Sequence, residues 1–210
     1  MHSLDEFSEI LKRDEPLAPY TWLKVGGPAQ YFLTPRNPDE LSQVLRACSE
    51  RQIPIRVLGG GSNLLVRDEG VPGAVIRLEA PSFAEVTING ATCTAGAGAL
   101  LSHVISETVR AGLAGMETLA GIPGTIGGAL RGNAGGRHGE IGTLVQSITA
   151  FDLKGETVVR QGDGLMFSYR DGGLDDLVAL EAQFALQSQS EEEITERLRK
   201  IWITNKASQP

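Results

Sequence analysis

The chain has 210 residues, a mass of 22.4 kDa and a formal charge of −7 from 19 basic and 26 acidic side chains. That acidity argues against a general nucleic-acid binder, which needs a basic surface to displace counterions, and 41% hydrophobic with 21% charged residues argues against disorder. Glycine is the outlier at 26 residues, and the glycines are clustered, which points to special backbone positions rather than a repeat.

Met1 to Ile10 carries Asp5, Glu6 and Glu9 without a basic n-region or an apolar stretch, so it does not read as a secretory signal. No apolar run reaches the roughly eighteen residues that a membrane span needs. Cys48 and Cys93 lie far apart, and lone thiols in an acidic chain point to a reducing compartment. The expected location is cytoplasmic. His2, His103 and His138 make no ligand spacing with cysteine or carboxylate, so no metal site is expected.

Asn37-Pro38-Asp39-Glu40 opens a helix with a capping amide, an N-terminal proline and early acids. Leu41, Val44, Leu45 and Cys48 form its apolar stripe. Ile55 to Leu58 reads as a strand entering Gly59-Gly60-Gly61-Ser62-Asn63, with Leu64-Leu65-Val66 and Ala74 to Leu78 as further strands. Asn89-Gly90 marks a type I′ hairpin between Glu85–Ile88 and Ala91–Ala95. Leu100 to Arg110 is helical and stops at Gly112. Lys154-Gly155 turns a second hairpin, and Leu177 to Leu186 is a long strand. Ser190-x-x-Glu193 is a capping box, opening a helix with Ile194, Leu198, Ile201 and Trp202 on its stripe. The pattern is α+β, with two lobes meeting near residue 80.

The triplet Gly59-Gly60-Gly61 with Ser62 and Asn63 can converge backbone N–H groups on an anion, and it serves equally as a tight turn. Gly121-Ile122-Pro123-Gly124-Thr125-Ile126-Gly127-Gly128 suits a helix start facing a pyrophosphate or close packing through small residues. It is not a P-loop, since no Lys-Ser/Thr follows. Gly96-Ala97-Gly98-Ala99-Leu100-Leu101 imitates a Rossmann fingerprint, but Leu101 stands at the third glycine position and the preceding strand belongs to a hairpin.

Thr21-Trp22-Leu23-Lys24-Val25-Gly26-Gly27-Pro28-Ala29, the segment 58–66, Gly115 through Gly128, Asn133-Ala134-Gly135 and Phe167-Ser168-Tyr169-Arg170 form an ordered set. Together these resemble the UDP-N-acetylenolpyruvoylglucosamine reductase (MurB) family from about residue 16 onward. The resemblance implies a two-subdomain α+β flavoprotein of the PCMH/vanillyl-alcohol-oxidase type. Its divisions would be an N-terminal extension (1–15), two FAD-binding subdomains (16–80 and 81–188) and a helix (189–210) leading to a substrate domain. It implies FAD as cofactor, NADPH as co-substrate, a UDP-sugar substrate, and no nucleic acid or membrane partner. Gly59, Gly60, Gly61, Ser62, Asn63, Leu64, Ile122, Pro123, Gly124, Gly127, Gly128, Asn133 and Gly135 would bind FAD. Tyr169 and Arg170 would bind substrate, with Arg170 catalytic as carboxylate anchor and stabiliser of developing negative charge. A bare Tyr-Arg pair would otherwise read as a surface arginine beside a core tyrosine.

The family's proton-donating serine, in Gly-Ser-x-Phe-x-Asn-Pro, and its C-terminal glutamate have no counterpart here. The expectation is a chain truncated before the substrate domain and not fully active alone. Gly136-Arg137-His138 and Arg131 also depart from the family pattern and add cationic character nearby. The alternatives are another PCMH-type FAD oxidoreductase and a non-catalytic flavin-binding module.

Overall fold

The structure, a computed structural model, describes residues 3–208. Strands β1 (Leu11–Pro16), β2 (Pro28–Leu33), β3 (Ile55–Val57) and β4 (Val71–Ile76) form a sheet in the order β1-β2-β4-β3. The β1–β2 pair is antiparallel and the other two pairs are parallel. A parallel pair needs a crossover, and helix α1 (Pro38–Glu50) supplies it between β2 and β3. Asn37 Oδ1 accepts from the Glu40 N–H at 2.9 Å. Pro38 fills the first turn, where a missing N–H costs nothing. Leu41, Val44, Leu45 and Cys48 are buried, in one core with Tyr31, Leu33, Ala74 and Ile76 of the sheet. Phe32 and Val75, alternating with those positions, join Leu17 and Leu58 in a second cluster.

The second sheet is wholly antiparallel. Strands β5 (Val86–Asn89) and β6 (Thr92–Gly96) pair as a hairpin. Helix α2 (Leu101–Arg110), strand β7 (Leu113–Ala114), helix α3 (Ile126–Arg131) and a small hairpin of β8 (Gly135–Gly136) and β9 (Gly139–Glu140) follow. Strands β10 (Val145–Asp152), β11 (Thr157–Gln161) and β12 (Leu177–Ala185) complete the sheet in the order β11-β10-β12-β6-β5. Strand β13 (Gln187–Ser188) pairs with β7, and helix α4 (Glu191–Ser208) ends the described chain. With β6 antiparallel to both neighbours, Gly96 and Gly98 open no Rossmann unit. A Cβ at Gly96 would lie 2.2 Å from Phe83 O, so glycine is there for close packing.

Several expectations are corrected. The first hairpin pairs Asn89 with Thr92, so its turn is Gly90-Ala91 rather than Asn89-Gly90. Of these two residues only Gly90 has positive φ, +58°, the pattern of a II′ turn. Leu64-Leu65-Val66 is a loop, not a strand. Residues 11–15 are no extension: they lie in edge strand β1, and Leu4 and Ile10 are buried in the core. In α4 the Glu193 N–H donates to Ser190 Oγ at 3.2 Å as expected, but Trp202 faces outward while Ile194 and Ile201 are buried.

The sheets lie on either side of residue 80 in sequence, yet one core cluster draws side chains from both. The β10–β11 turn rests on α1. Ser42 Oγ donates to Gly155 O at 2.9 Å, Arg46 pairs with Glu156 at 3.1 Å, and a Cβ on Gly155 would strike Ser42 O. Helix α4 is fastened by Arg197, which pairs at 2.7 Å with the fully buried carboxylate of Glu117.

Cys48 and Cys93 are free and buried, and burial pushes each thiol up to about 11 from the ordinary 9.0. The neutral thiols are the compatible form, so their contribution to stability is whole below pH 9.0 and declines as pH rises toward 11. A thiol reagent near neutral pH is expected to label neither cysteine in the folded protein and both after denaturation. Labelling at the rate of an exposed cysteine would contradict this burial. Among the described residues no helix is long and apolar enough to cross a membrane.

Candidate functional site

The first sheet ends its pairing where the Leu58 N–H donates to Ile76 O at 2.8 Å, and the chain then turns through Gly59 to Asn63. This turn is wedged between two segments. On one side a Cβ at Gly61, whose φ is +64°, would lie 2.0 Å from Tyr20 O, and the Trp22 N–H donates to Gly61 O at 3.1 Å. On the other side a Cβ at Gly60 would lie 2.9 Å from Gly124 Cα, and one at Gly59 would lie 2.7 Å from Thr125 Oγ1. Ser62 Oγ donates to Pro123 O at 3.2 Å. The two glycine-rich turns singled out in the sequence therefore touch.

Their free donors are the main electrostatic feature. Among the described residues, the N–H groups of Gly59, Gly60, Gly61, Ser62 and Asn63 donate to no protein acceptor, and neither do those of Gly124 and Thr125. Backbone N–H groups that point outward from adjoining turns, unobstructed by Cβ atoms, take an anion. The start of α3 behaves differently. The Gly127 N–H is used by Ala97 O at 2.8 Å, the Gly128 N–H by Thr125 Oγ1 at 3.3 Å, and the Ile122 N–H by Leu119 O at 3.2 Å. Gly127 allows close packing, since its Cβ would lie 3.1 Å from Ala97. The donors available to an anion come from the two turns rather than from the helix start. Four apolar side chains, Trp22, Leu23, Leu64 and Leu65, stand exposed on the loops beside this cradle. Thr125 and Trp22 were not singled out as site residues. Direct continuation of the Gly124 turn marks Thr125 in the sequence, whereas only the folded loop contact reveals Trp22.

Tyr169 and Arg170 form a second locus. Ser168 and Asp171 exchange two backbone hydrogen bonds, at 2.8 and 3.1 Å, and close a turn with Tyr169 and Arg170 at its tip. Arg170 adopts φ +58°, a strained value for a branched-free but Cβ-bearing residue. Tyr169 is 87% exposed, so it is no core tyrosine. The Arg170 guanidinium lies 5.7 Å from the Tyr169 ring centroid and has no carboxylate partner among the described residues. It is an exposed cation at a constrained turn, open to an outside anion.

Asn133 and Gly135 sit past the C-terminal end of α3. Asn133 is buried and both ends of its amide bond protein groups, while Gly135 is exposed in the β8–β9 hairpin, where a Cβ would strike Glu140. Arg131 is occupied by Asp175 and, at 3.6 Å, by Asp171. Arg137 and His138 are exposed on the small hairpin. The cradle and the Tyr169–Arg170 turn thus attach to opposite ends of α3, a six-residue helix of about 9 Å.

Comparison with known proteins gives this geometry a family. The FAD binding domain family matches residues 29–160. The UDP-N-acetylenolpyruvoylglucosamine reductase of Rhodopirellula baltica is 38% identical over 199 residues, covering 95% of this chain and 65% of its own length. That of a Bradyrhizobium species is 47% identical over 165 residues, 79% of this chain and 53% of its own. The chain therefore spans roughly half to two thirds of the length of these curated relatives. The crystal structure of the reductase (MurB) from Thermus caldophilus has a TM-score of 0.84 at 38% identity, covering 95% of this chain and 70% of that one. A solvent-stable cholesterol oxidase, 19% identical with a TM-score of 0.63 over 85% of this chain and 38% of its own, shares the fold alone. The α+β architecture is that of PCMH/vanillyl-alcohol-oxidase-type flavoproteins, and the chain belongs to the FAD binding domain family and, within it, to the UDP-N-acetylenolpyruvoylglucosamine reductases.

Proposed function

We propose that this chain is the FAD-holding portion of a cytoplasmic, NADPH-dependent reductase that converts UDP-N-acetylenolpyruvoylglucosamine to UDP-N-acetylmuramate for peptidoglycan precursors. The observation that carries this reading is the run of unpaired amides from Gly59 to Asn63 lying against Gly124 and Thr125. A diphosphate needs several converging donors, and charge-assisted bonds to it are the strong ones. The turns fit such a group, because these amides have no protein acceptor and Gly59, Gly60, Gly61 and Gly124 carry no side chain. The exposed Leu64 and Trp22 offer apolar surface beside it for an aromatic ring system.

When bound, FAD would supply the two-electron redox chemistry that links NADPH to the enolpyruvyl double bond. The residues of this chain then have separate tasks. Gly60, Gly61, Ser62, Asn63, Gly124 and Thr125 hold the diphosphate. Arg170 grips the substrate carboxylate and stabilises the negative charge that grows on it as the double bond is reduced. Tyr169 covers one face of that guanidinium, which keeps it oriented. Protonation is assigned to no residue of this chain, since the family's serine motif is not in the sequence. The two flavin-binding subdomains would meet near residue 80.

Titration of the purified protein with FAD tests the reading. A visible flavin spectrum that stays with the protein through gel filtration is the expected result. Failure to retain flavin, with FAD supplied in excess to folded protein, overturns it.

A further inference from the structure

The Asn133 side chain is the point where the cofactor-side helix reaches the Tyr169–Arg170 turn. Asn133 is 5% exposed and adopts φ +42°, a left-handed conformation that asparagine tolerates better than most residues. Its Nδ2 donates to Ser168 O at 3.0 Å, the carbonyl that also closes the turn by accepting the Asp171 N–H. Its Oδ1 accepts the Gly142 N–H at 3.1 Å. Two glycines make room for this junction. A Cβ at Gly142 would lie 2.8 Å from Asn133 Oδ1, and one at Gly172 would lie 1.9 Å from Leu130 O. The Gly172 N–H donates to Arg131 O at 3.1 Å, and the Arg131 side chain pairs with Asp171 and Asp175. Arg170 in turn holds a backbone conformation that persists only where neighbours over-determine it.

We propose that Asn133 is a positioning residue rather than a cofactor ligand: its amide ties the Tyr169–Arg170 turn to the end of α3 and so fixes where the Arg170 guanidinium stands. Each polar end of the amide already has a protein partner, and the side chain is buried away from the surface that an outside ligand could reach. The catalytic consequence rests on the reading of Arg170 given above. The turn itself can be measured whether or not that reading holds.

Two variants separate the two bonds. Asn133→Asp tolerates the same backbone and keeps an acceptor for Gly142 but loses the donor to Ser168 O. Asn133→Gly suits positive φ and loses both bonds. Residue-resolved amide exchange is measured on the folded 210-residue chain, with the Val75 N–H in β4 as the remote reference. Asn133→Asp is expected to speed exchange of the Ser168 and Asp171 N–H groups about tenfold, with Gly142 still protected. Asn133→Gly is expected to release all three to about that degree, the scale on which losing one or two hydrogen bonds shifts a local opening. Val75 should be unchanged in both, whereas a merely global loss of stability would move it too. FAD affinity should stay within about threefold in both variants, as for a residue outside the ligand contacts. Unchanged exchange at Ser168 and Asp171 would overturn the proposal, as would acceleration spread equally to Val75. So would a large fall in FAD affinity with the turn still protected. Failure of the parent chain to bind FAD would instead strike the functional reading and leave the exchange pattern to decide the role of Asn133.

Discussion

Arg170→Ala is expected to lower turnover of the enolpyruvyl substrate by about 10²–10³, the usual cost of removing a fixed group that meets developing negative charge. The setting for this measurement is a reductase that carries this chain together with the substrate-binding remainder of its relatives' length. The same substitution should leave FAD affinity in the 210-residue chain within about twofold. The reason lies in what Arg170 does not do. It makes no ion pair among the described residues and stands exposed at a turn tip, so its loss gives up only the Tyr169 ring contact. Arg170→Lys retains charge but not the planar fork, and the loss should be roughly 10- to 100-fold, the worth of one charge-assisted hydrogen bond. Turnover by Arg170→Ala near that of the parent would remove the arginine from the chemistry.

Gly61→Ala should abolish useful FAD binding. The added Cβ would lie 2.0 Å from Tyr20 O on a backbone with φ +64°, so either the Tyr20–Trp22 segment or the turn must move. Moving the turn misaligns several amides at once. Each bond to an anion is worth about 1.5–3 kcal/mol, so two misdirected donors weaken binding by roughly 10² or more. Gly90→Ala is the matched control. Its φ is +58°, but nothing lies within 4 Å of the new Cβ, so it adds backbone strain without a collision and lies in a different turn. The control should be somewhat less stable and bind FAD as the parent does. Equal FAD affinity for Gly61→Ala and the parent, measured by spectral titration, would mean that the diphosphate lies elsewhere.

The two α-helical stripes, the second hairpin and the long strand β12 were legible because each is a local pattern. Asn37-Pro38 and Ser190-x-x-Glu193 declare helix starts in a few residues, and the caps form as written. Strand β1 was missed because Leu11–Pro16 carries Lys12, Arg13, Asp14 and Glu15, an edge composition with little apolar alternation. Leu64-Leu65-Val66 misled for the opposite reason. Three apolar residues look like a buried strand, but the chain leaves the sheet at Gly59, and only Val66 packs against the core while Leu64 and Leu65 stand exposed beside the cradle. At the site, glycine clustering marked the two turns that meet in the fold but not which of their amides lack a protein acceptor. That depends on long-range acceptors such as Ala97 O, which a one-dimensional reading cannot place. Asn133 shows the same limit, since its partners Ser168 and Gly142 lie far along the chain.

The seating of Gly155 on Ser42, together with a core shared by both sheets, has a consequence for how a guest is received. The Gly59–Asn63 and Gly124–Thr125 backbones are held together as the polypeptide folds, by their own contact through Ser62 and Pro123 and by packing remote from either segment. On the proposed reading, an incoming dinucleotide would meet a finished socket, with little of its attraction diverted into assembling the walls.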